Sequence, residues 1–104
     1  MEYCYNIFRS DAPEIVRRFA VILLIDVSDE SVLDWLPELL AEPGEHIPVW
    51  GAKILEQLTY RRLVIYREED ATRCLELIET HANPIVAGMA EEIRPRLQES
   101  TDTP

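Results

Sequence analysis

Acidic side chains recur at every fourth position in the stretch from Ile25 to Glu42, and no basic residue lies among them. They are Asp26, Glu30, Asp34, Glu38 and Glu42. No lysine or arginine occurs between Arg18 and Lys53. On one continuous helix, residues four apart are neighbours, so these carboxylates would form an acidic column in which each neighbouring pair repels by roughly 0.2–0.5 kcal/mol. The acidic column predicts either a solvated face of an acidic protein or a docking surface for a basic partner.

The docking interpretation rests on the spacing of the acidic column and on a neighbouring tryptophan. Carboxylates about 6 Å apart are commensurate with the phosphates along one nucleic-acid strand, so the column would imitate such a strand. Trp35 lies at the edge of the column beside Glu42, and tryptophan is a favoured anchor in protein interfaces. We therefore predict a partner-binding site. Its residues are Asp26, Glu30, Asp34, Trp35, Glu38 and Glu42.

The overall charge favours a protein partner with a basic surface. The chain of 104 residues has 20 acidic and 10 basic residues, which gives a net charge of −10. Such a field repels nucleic acids and anionic membranes, so direct binding to either is disfavoured. The function predicted first is an inhibitor or immunity-type protein that covers a basic surface, such as a nucleic-acid-binding groove. The alternative is a small adaptor or regulatory subunit that binds through an apolar patch around Trp35 and Trp50.

No catalytic or metal-binding pattern stands out from the rest of the sequence. The two histidines have no recognised ligand spacing to each other or to the cysteines and nearby acids. None of the serines lies in a G-x-S-x-G context. Cys74 and His81 are seven residues apart, about 10 Å along a helix, too far for a nucleophile and its base. The sequence therefore predicts a protein that is not an enzyme and holds no metal or cofactor.

The cysteines and the termini favour a cytoplasmic protein. Cys4 and Cys74 are far apart and form no C-x-x-C motif, so free, reduced thiols are expected. The first residues show no basic segment followed by an apolar one, and no signal peptide is predicted. The longest apolar run, Phe19–Ile25, is far too short to span a membrane.

Four arginines in the later half of the chain form a small basic patch. They are Arg61, Arg62, Arg67 and Arg73. Pairing with acids of the same chain is the first interpretation of this arginine patch. The second is self-association into a homodimer, with the patch against the acidic column or against its own copy.

Three segments are predicted as strands because they are rich in aromatic and β-branched residues. They are residues 2–8 (EYCYNIF), 18–27 (RFAVILLIDV) and 59–67 (TYRRLVIYR). The second segment also fits a helix that starts after Asp11, because a short apolar run does not distinguish a buried strand from a buried helix.

Four segments are predicted as helices. The first runs from a cap at Ser28 to about Glu42 and must kink or divide at Pro37. The others are residues 47–58, residues 68–82 and a last helix that begins at Asn83-Pro84, for which a strand over Pro84–Ala90 is the alternative. The predicted fold class is α+β, a small single domain over residues 1–99. It has a short, mainly antiparallel sheet packed against three to five helices. Residues 100–104 are predicted to be a flexible polar tail.

Overall fold

Helices make up all the regular structure in the described part of the chain. The computed structural model describes the backbone of residues 2–102 and the side chains of residues 2–99. The α-helices are α1 (Glu2–Arg9), α2 (Glu14–Val27), α3 (Leu36–Ala41), α4 (His46–Tyr60), α5 (Glu68–Glu79) and α6 (Pro84–Asp102), with 3₁₀-helices at Glu30–Asp34 and Leu63–Tyr66. No strand occurs among these residues, so the predicted α+β fold with a short antiparallel sheet is wrong.

Helix α1 replaces the first predicted strand, residues 2–8. Its buried residues are Cys4, Tyr5 and Phe8, which follow the i, i+1, i+4 spacing of one helix face. Aromatic residues favour strands mainly because they pack well on a half-buried surface, and here a helix offers such a surface. With no second strand beside it, the segment satisfies its backbone hydrogen bonds internally.

Helix α2 replaces the second predicted strand, residues 18–27, and the alternative of a helix in this region is confirmed. The helix begins directly after Pro13. Ala20, Val21 and Leu24 are its buried residues, again at i, i+1 and i+4. The side of α2 that faces away from the core is apolar as well as the side that is buried. The sequence therefore shows no helical periodicity of apolar and polar residues in this segment.

The third predicted strand, residues 59–67, is divided between the end of α4 and the 3₁₀-helix Leu63–Tyr66. Helix α4 ends at Tyr60, and Arg62 then adopts a left-handed backbone conformation with a φ of 57°. This conformation turns the chain sharply, which an extended strand does not allow. Val64 is the buried residue of the 3₁₀-helix.

The predicted division of the acidic segment at Pro37 is confirmed. The 3₁₀-helix Glu30–Asp34 comes first, and Pro37 lies in the first turn of α3, where its missing N–H interrupts no helical hydrogen bond. The cap predicted at Ser28 is one residue off. The Asp29 side chain accepts a hydrogen bond from the Ser31 N–H at 2.8 Å and caps the 3₁₀-helix.

The last predicted helix is confirmed as α6, and the alternative strand over Pro84–Ala90 does not form. The Asn83 Oδ1 atom accepts a hydrogen bond from the Ile85 N–H at 2.9 Å and so caps the first turn. Helix α6 continues through Asp102. The segment predicted as a flexible tail is therefore helical as far as that residue, and residues 103 and 104 lie outside the described residues.

Helix α4 is the central helix of the fold. It contacts α2, α3, α5 and α6, and its residues Ile54, Leu55 and Leu58 are fully buried. Helix α3 packs against it at Gly51, where a Cβ atom would lie 3.4 Å from Leu40 Cδ2, in van der Waals contact. The helices around α4 thus share one hydrophobic core.

Candidate protein-binding surface

The acidic column is not one side of a single helix. Its residues are spread over α2, the first 3₁₀-helix, α3 and the residue that directly follows α3. In chain order they are Asp26, then Glu30 and Asp34, then Glu38, and finally Glu42. The regular 6 Å spacing expected on a continuous helix therefore does not hold.

Asp34 pairs with an arginine of the predicted basic patch. The Arg67 guanidinium donates hydrogen bonds to Asp34 and, at 2.8 Å, to Asp70. The hydrogen bond from Arg67 lowers the pKa of Asp34, and the hydrogen bonds to Asp34 and Asp70 raise the pKa of Arg67. Arg73 Nη1 also lies 3.8 Å from Asp70 Oδ1. For these two arginines the predicted pairing within the chain is confirmed.

Glu38 is bound by two side chains of α1. The Tyr5 hydroxyl donates a hydrogen bond to one carboxylate oxygen, and Arg9 Nε lies 3.3 Å from the other. Burial and, after it, the contact with the Glu38 carboxylate raise the pKa of Tyr5. The phenol thus stays a neutral donor, and Glu38 serves to fasten α1 to α3.

Glu42 is bound by Arg17 of α2. Arg17 Nη2 donates to Glu42 Oε1 at 2.8 Å, and Arg17 Nε donates to the Phe8 carbonyl oxygen at 2.6 Å. The two side chains of the pair are only 25% and 21% exposed. Arg17 therefore connects the last turn of α1, helix α2 and the end of α3.

These contacts leave two residues of the acidic column without an ion pair in the described part of the chain, Asp26 and Glu30. A basic partner that docked along the whole column would have to compete with three arginines of the chain itself. The column is therefore mainly a set of structural ion pairs in this conformation.

Both tryptophans pack against aromatic neighbours and are half-buried. The ring of Trp35 stacks on Tyr5 with the centroids 4.2 Å apart and the planes at 5°. The ring of Trp50 stacks on His46 with the centroids 5.7 Å apart. Each ring thus uses one side for packing within the chain and leaves only part of its surface to solvent.

Among the described side chains, α2 has more exposed large apolar residues than any other element, and sequence reasoning missed the face that they form. We call it the α2 face. Its residues are Ile15, Val16, Phe19, Ile22, Leu23 and Val27, with exposed fractions from 37% to 63%. Residues four apart drift by about 40° around a helix, so the row from Ile15 through Phe19 and Leu23 to Val27 forms one slightly oblique stripe.

Asp26 lies within the α2 face, one turn after Ile22 and close to the direction of Phe19 around the helix axis. One predicted partner-binding residue, Asp26, is therefore placed on this surface, as its one charged side chain. The sequence does contain a signal for the face. A helix needs apolar residues on only one side to pack on a core, and residues 19–25 are apolar all the way round.

A search of known protein families, of curated proteins and of solved structures finds no match to this chain.

A groove of about 860 Å³ lies where the α3–α4 and α5–α6 connections meet. Its histidine is fully engaged in the fold. His81 Nδ1 accepts a hydrogen bond from the Asn83 N–H at 3.0 Å, which makes Nε2 the donor to the Leu40 carbonyl oxygen at 2.8 Å. Glu42 in its wall holds Arg17. These hydrogen bonds stabilise the two connections that form the groove. No group of three potential metal ligands occurs among the described residues.

Both cysteines are free thiols, as predicted, and both are buried. No helix within residues 2–102 has the length and apolar character needed to cross a membrane.

The Cys74 thiol is expected to resist alkylation in the folded protein. Burial raises its pKa to about 11, so roughly one thiol in a thousand is ionised at pH 8. In a Cys4→Ala variant, labelling at pH 8 should be at least tenfold slower in buffer than in denaturant. Since the unfolded thiol ionises first, this group should also make the free energy of unfolding fall between about pH 9 and pH 11. Equal labelling rates in buffer and denaturant would contradict the predicted protection.

Proposed function

We propose that this chain is a non-enzymatic, cytoplasmic protein-binding domain of the adaptor or regulatory-subunit type, and that the α2 face is its binding surface. The proposal rests on one observation, the six exposed apolar side chains on a single helix. The largest exposed apolar patch of a typical monomer covers about 300–600 Å² and is often functional, and larger patches mark interaction sites.

The physical basis is the burial of apolar surface between helices. An amphipathic helix face binds by packing into a groove or against another helix, with anchors at i, i+3, i+4 and i+7. Phe19 and Leu23 are 60% and 54% exposed and are next to each other on the stripe. Fully burying a side chain of this size contributes about 1.5–3 kcal/mol, and covering the exposed half contributes roughly half of that. Their position at the middle of the stripe makes these two residues the strongest candidate anchors.

An inhibitor or immunity-type function toward a basic surface is the second candidate. Its support is the net charge of −10 and the position of Asp26 on the α2 face. In this version the partner would place basic side chains around an apolar groove. Glu30, which makes no ion pair in the described residues, would be the second acidic contact. Asp34, Glu38 and Glu42 would contribute little, because each is already paired.

The proposed function is tested with a double variant of the two anchors, Phe19→Lys with Leu23→Lys. Both residues are more than half exposed, so the fold should survive and circular dichroism should show an unchanged helix content. Some proteins, including an untagged copy of the chain, should copurify with the tagged wild-type chain from its native host. Their yield should be at least tenfold lower with the double variant.

The matched control is Ile85→Lys on α6, because Ile85 is 64% exposed but does not belong to the α2 face. This variant should copurify with the same proteins as the wild type. The proposal is wrong if the double variant retains every copurifying protein, or if Ile85→Lys loses them to the same extent.

A further inference from the structure

We infer that the α2 face is a self-association surface, on which two copies of the chain pair their α2 helices in antiparallel orientation about a twofold axis. The inference rests on the proposed function, in that it takes the α2 face to bind protein, and it names the partner as a second copy.

The apolar stripe is compatible with a twofold axis at its centre. Ile15, Phe19, Leu23 and Val27 have their midpoint between Phe19 and Leu23. A twofold axis at that midpoint places Phe19 opposite the Leu23 of the other copy, and Ile15 opposite its Val27. An isologous dimer needs such a self-complementary surface, in which each contact occurs twice.

The charged residues beside the stripe favour the antiparallel orientation. In the antiparallel register the residue opposite Asp26 is Val16, and Arg18 is only two residues, about 3 Å, further along. Arg18 and Asp26 also lie on the same flank of the stripe, so each would face its counterpart in the other copy. In a parallel pair the twofold axis would run along the helices, so Arg18 of one copy and Asp26 of the other would lie on opposite flanks and would not meet.

Arg18 is free to make this contact at small cost. Its present partner is Glu14 of the same helix, at 3.0 Å, and the two side chains are 39% and 69% exposed. Exposed ion pairs contribute little to stability, so exchanging Glu14 for the Asp26 of a second copy leaves the fold intact.

Helix α2 is balanced in charge, unlike the chain as a whole. The whole chain carries −10, so two copies repel each other. Helix α2 carries two arginines and two acidic residues and is therefore neutral. The α2 helices themselves therefore add no net charge repulsion when they meet, and salt should screen the repulsion between the rest of the two copies. Self-association should strengthen or stay constant as salt increases, whereas binding to a basic partner should weaken.

The amount of exposed apolar surface on α2 fits a dimer of low affinity. The six side chains of the α2 face are 37–63% exposed, and a twofold dimer would bury this face on both copies, which corresponds to an interface near the lower end of the roughly 1,200–2,000 Å² buried in specific interfaces. We therefore expect a dissociation constant in the micromolar range.

Sedimentation equilibrium of the purified full chain, over a range of concentrations and at two salt concentrations, tests the inference. The wild type should move from monomer to dimer with concentration. Leu23→Lys, which places charge at the centre of the stripe, should weaken association at least about tenfold. Ile85→Lys should associate as the wild type does. Thermal melts of each variant confirm that the fold is retained.

A charge exchange tests the antiparallel register itself. Arg18→Asp and Asp26→Arg should each weaken association about tenfold, because each brings like charges together across the axis. The double variant restores opposite charges and should recover most of the loss. A chain that stays monomeric at every concentration overturns the inference, as does a dimer that Leu23→Lys leaves unchanged or a charge exchange without recovery. Copurification with another protein that is lost in the Phe19→Lys, Leu23→Lys variant would still support the proposed function, so the two failures are distinguishable.

Discussion

Replacing Arg17 with Met is expected to lower the free energy of unfolding by about 2–3 kcal/mol. Methionine keeps the apolar stem of the side chain but removes the two hydrogen bonds from the guanidinium, one to the Phe8 carbonyl oxygen and one to Glu42. Both ends of the pair are largely buried, so the lost bonds are poorly replaced by water. The guanidinium also lies 5.2 Å from the centre of the Phe8 ring, a cation–π contact that Met does not make.

Urea denaturation measures this loss, and two further variants locate its origin. Arg73→Met is the matched control, because Arg73 lies 3.8 Å from its acidic partner and is 69% exposed, so its loss should be within about 0.5 kcal/mol. Adding Glu42→Gln to Arg17→Met should cost little more, since the ion pair is already broken. If Arg17→Met were as stable as Arg73→Met, the connection of α1, α2 and α3 through Arg17 would be refuted.

Replacing Gly51 with Leu is expected to destabilise the protein by about 1–3 kcal/mol, and replacing it with Ala should have the opposite sign. A Cβ atom at position 51 lies 3.4 Å from Leu40 Cδ2 and 3.5 Å from Leu39 Cβ, which is ordinary van der Waals contact. Alanine therefore fits, and its higher helix propensity should add up to about 1 kcal/mol. The additional carbons of leucine would have to occupy the space filled by the α3 leucines.

Thermal and urea denaturation of the two variants provide the measurement. Gly88→Ala is the control for helix propensity alone, because nothing lies within 4 Å of a Cβ atom at position 88 of α6. Gly51→Ala should be stabilised about as much as Gly88→Ala. A stable Gly51→Leu protein would mean that α3 is not closely packed on α4 at this point.

The features of the fold that depend on one or two residues were predictable from the sequence. The division at Pro37 follows from the missing N–H of proline, and the start of α6 follows from the capping chemistry of Asn83 and Pro84. The three predicted strands failed for a different reason. An apolar segment becomes a strand only beside another strand, and neither residues 2–8 nor residues 18–27 contain any information about such a neighbour.

The candidate site was also predictable only where it depends on residues that are close together in the sequence. The spacing of the acidic column is visible in the sequence, but the arginines that pair with it are distant along the chain. Asp34 and Arg67 are 33 residues apart, and Glu42 and Arg17 are 25 apart. Without a fold, these acids appear unpaired and available for a partner. The α2 face was not predicted because apolar residues are expected to be buried. The sequence alone does not show which side of the helix has no neighbour.

The central position of α4 has a consequence for the order in which the protein folds. Helices α1 and α2 are adjacent along the chain and contact each other, as do α5 and α6, so each pair forms by closing a short loop. Helix α4 reaches its partners α2 and α6 only across long stretches of chain. The α2–α4 and α4–α6 contacts are therefore expected to form slowly. The two helical hairpins are therefore expected to form first, and their docking onto α4 is expected to set the folding rate.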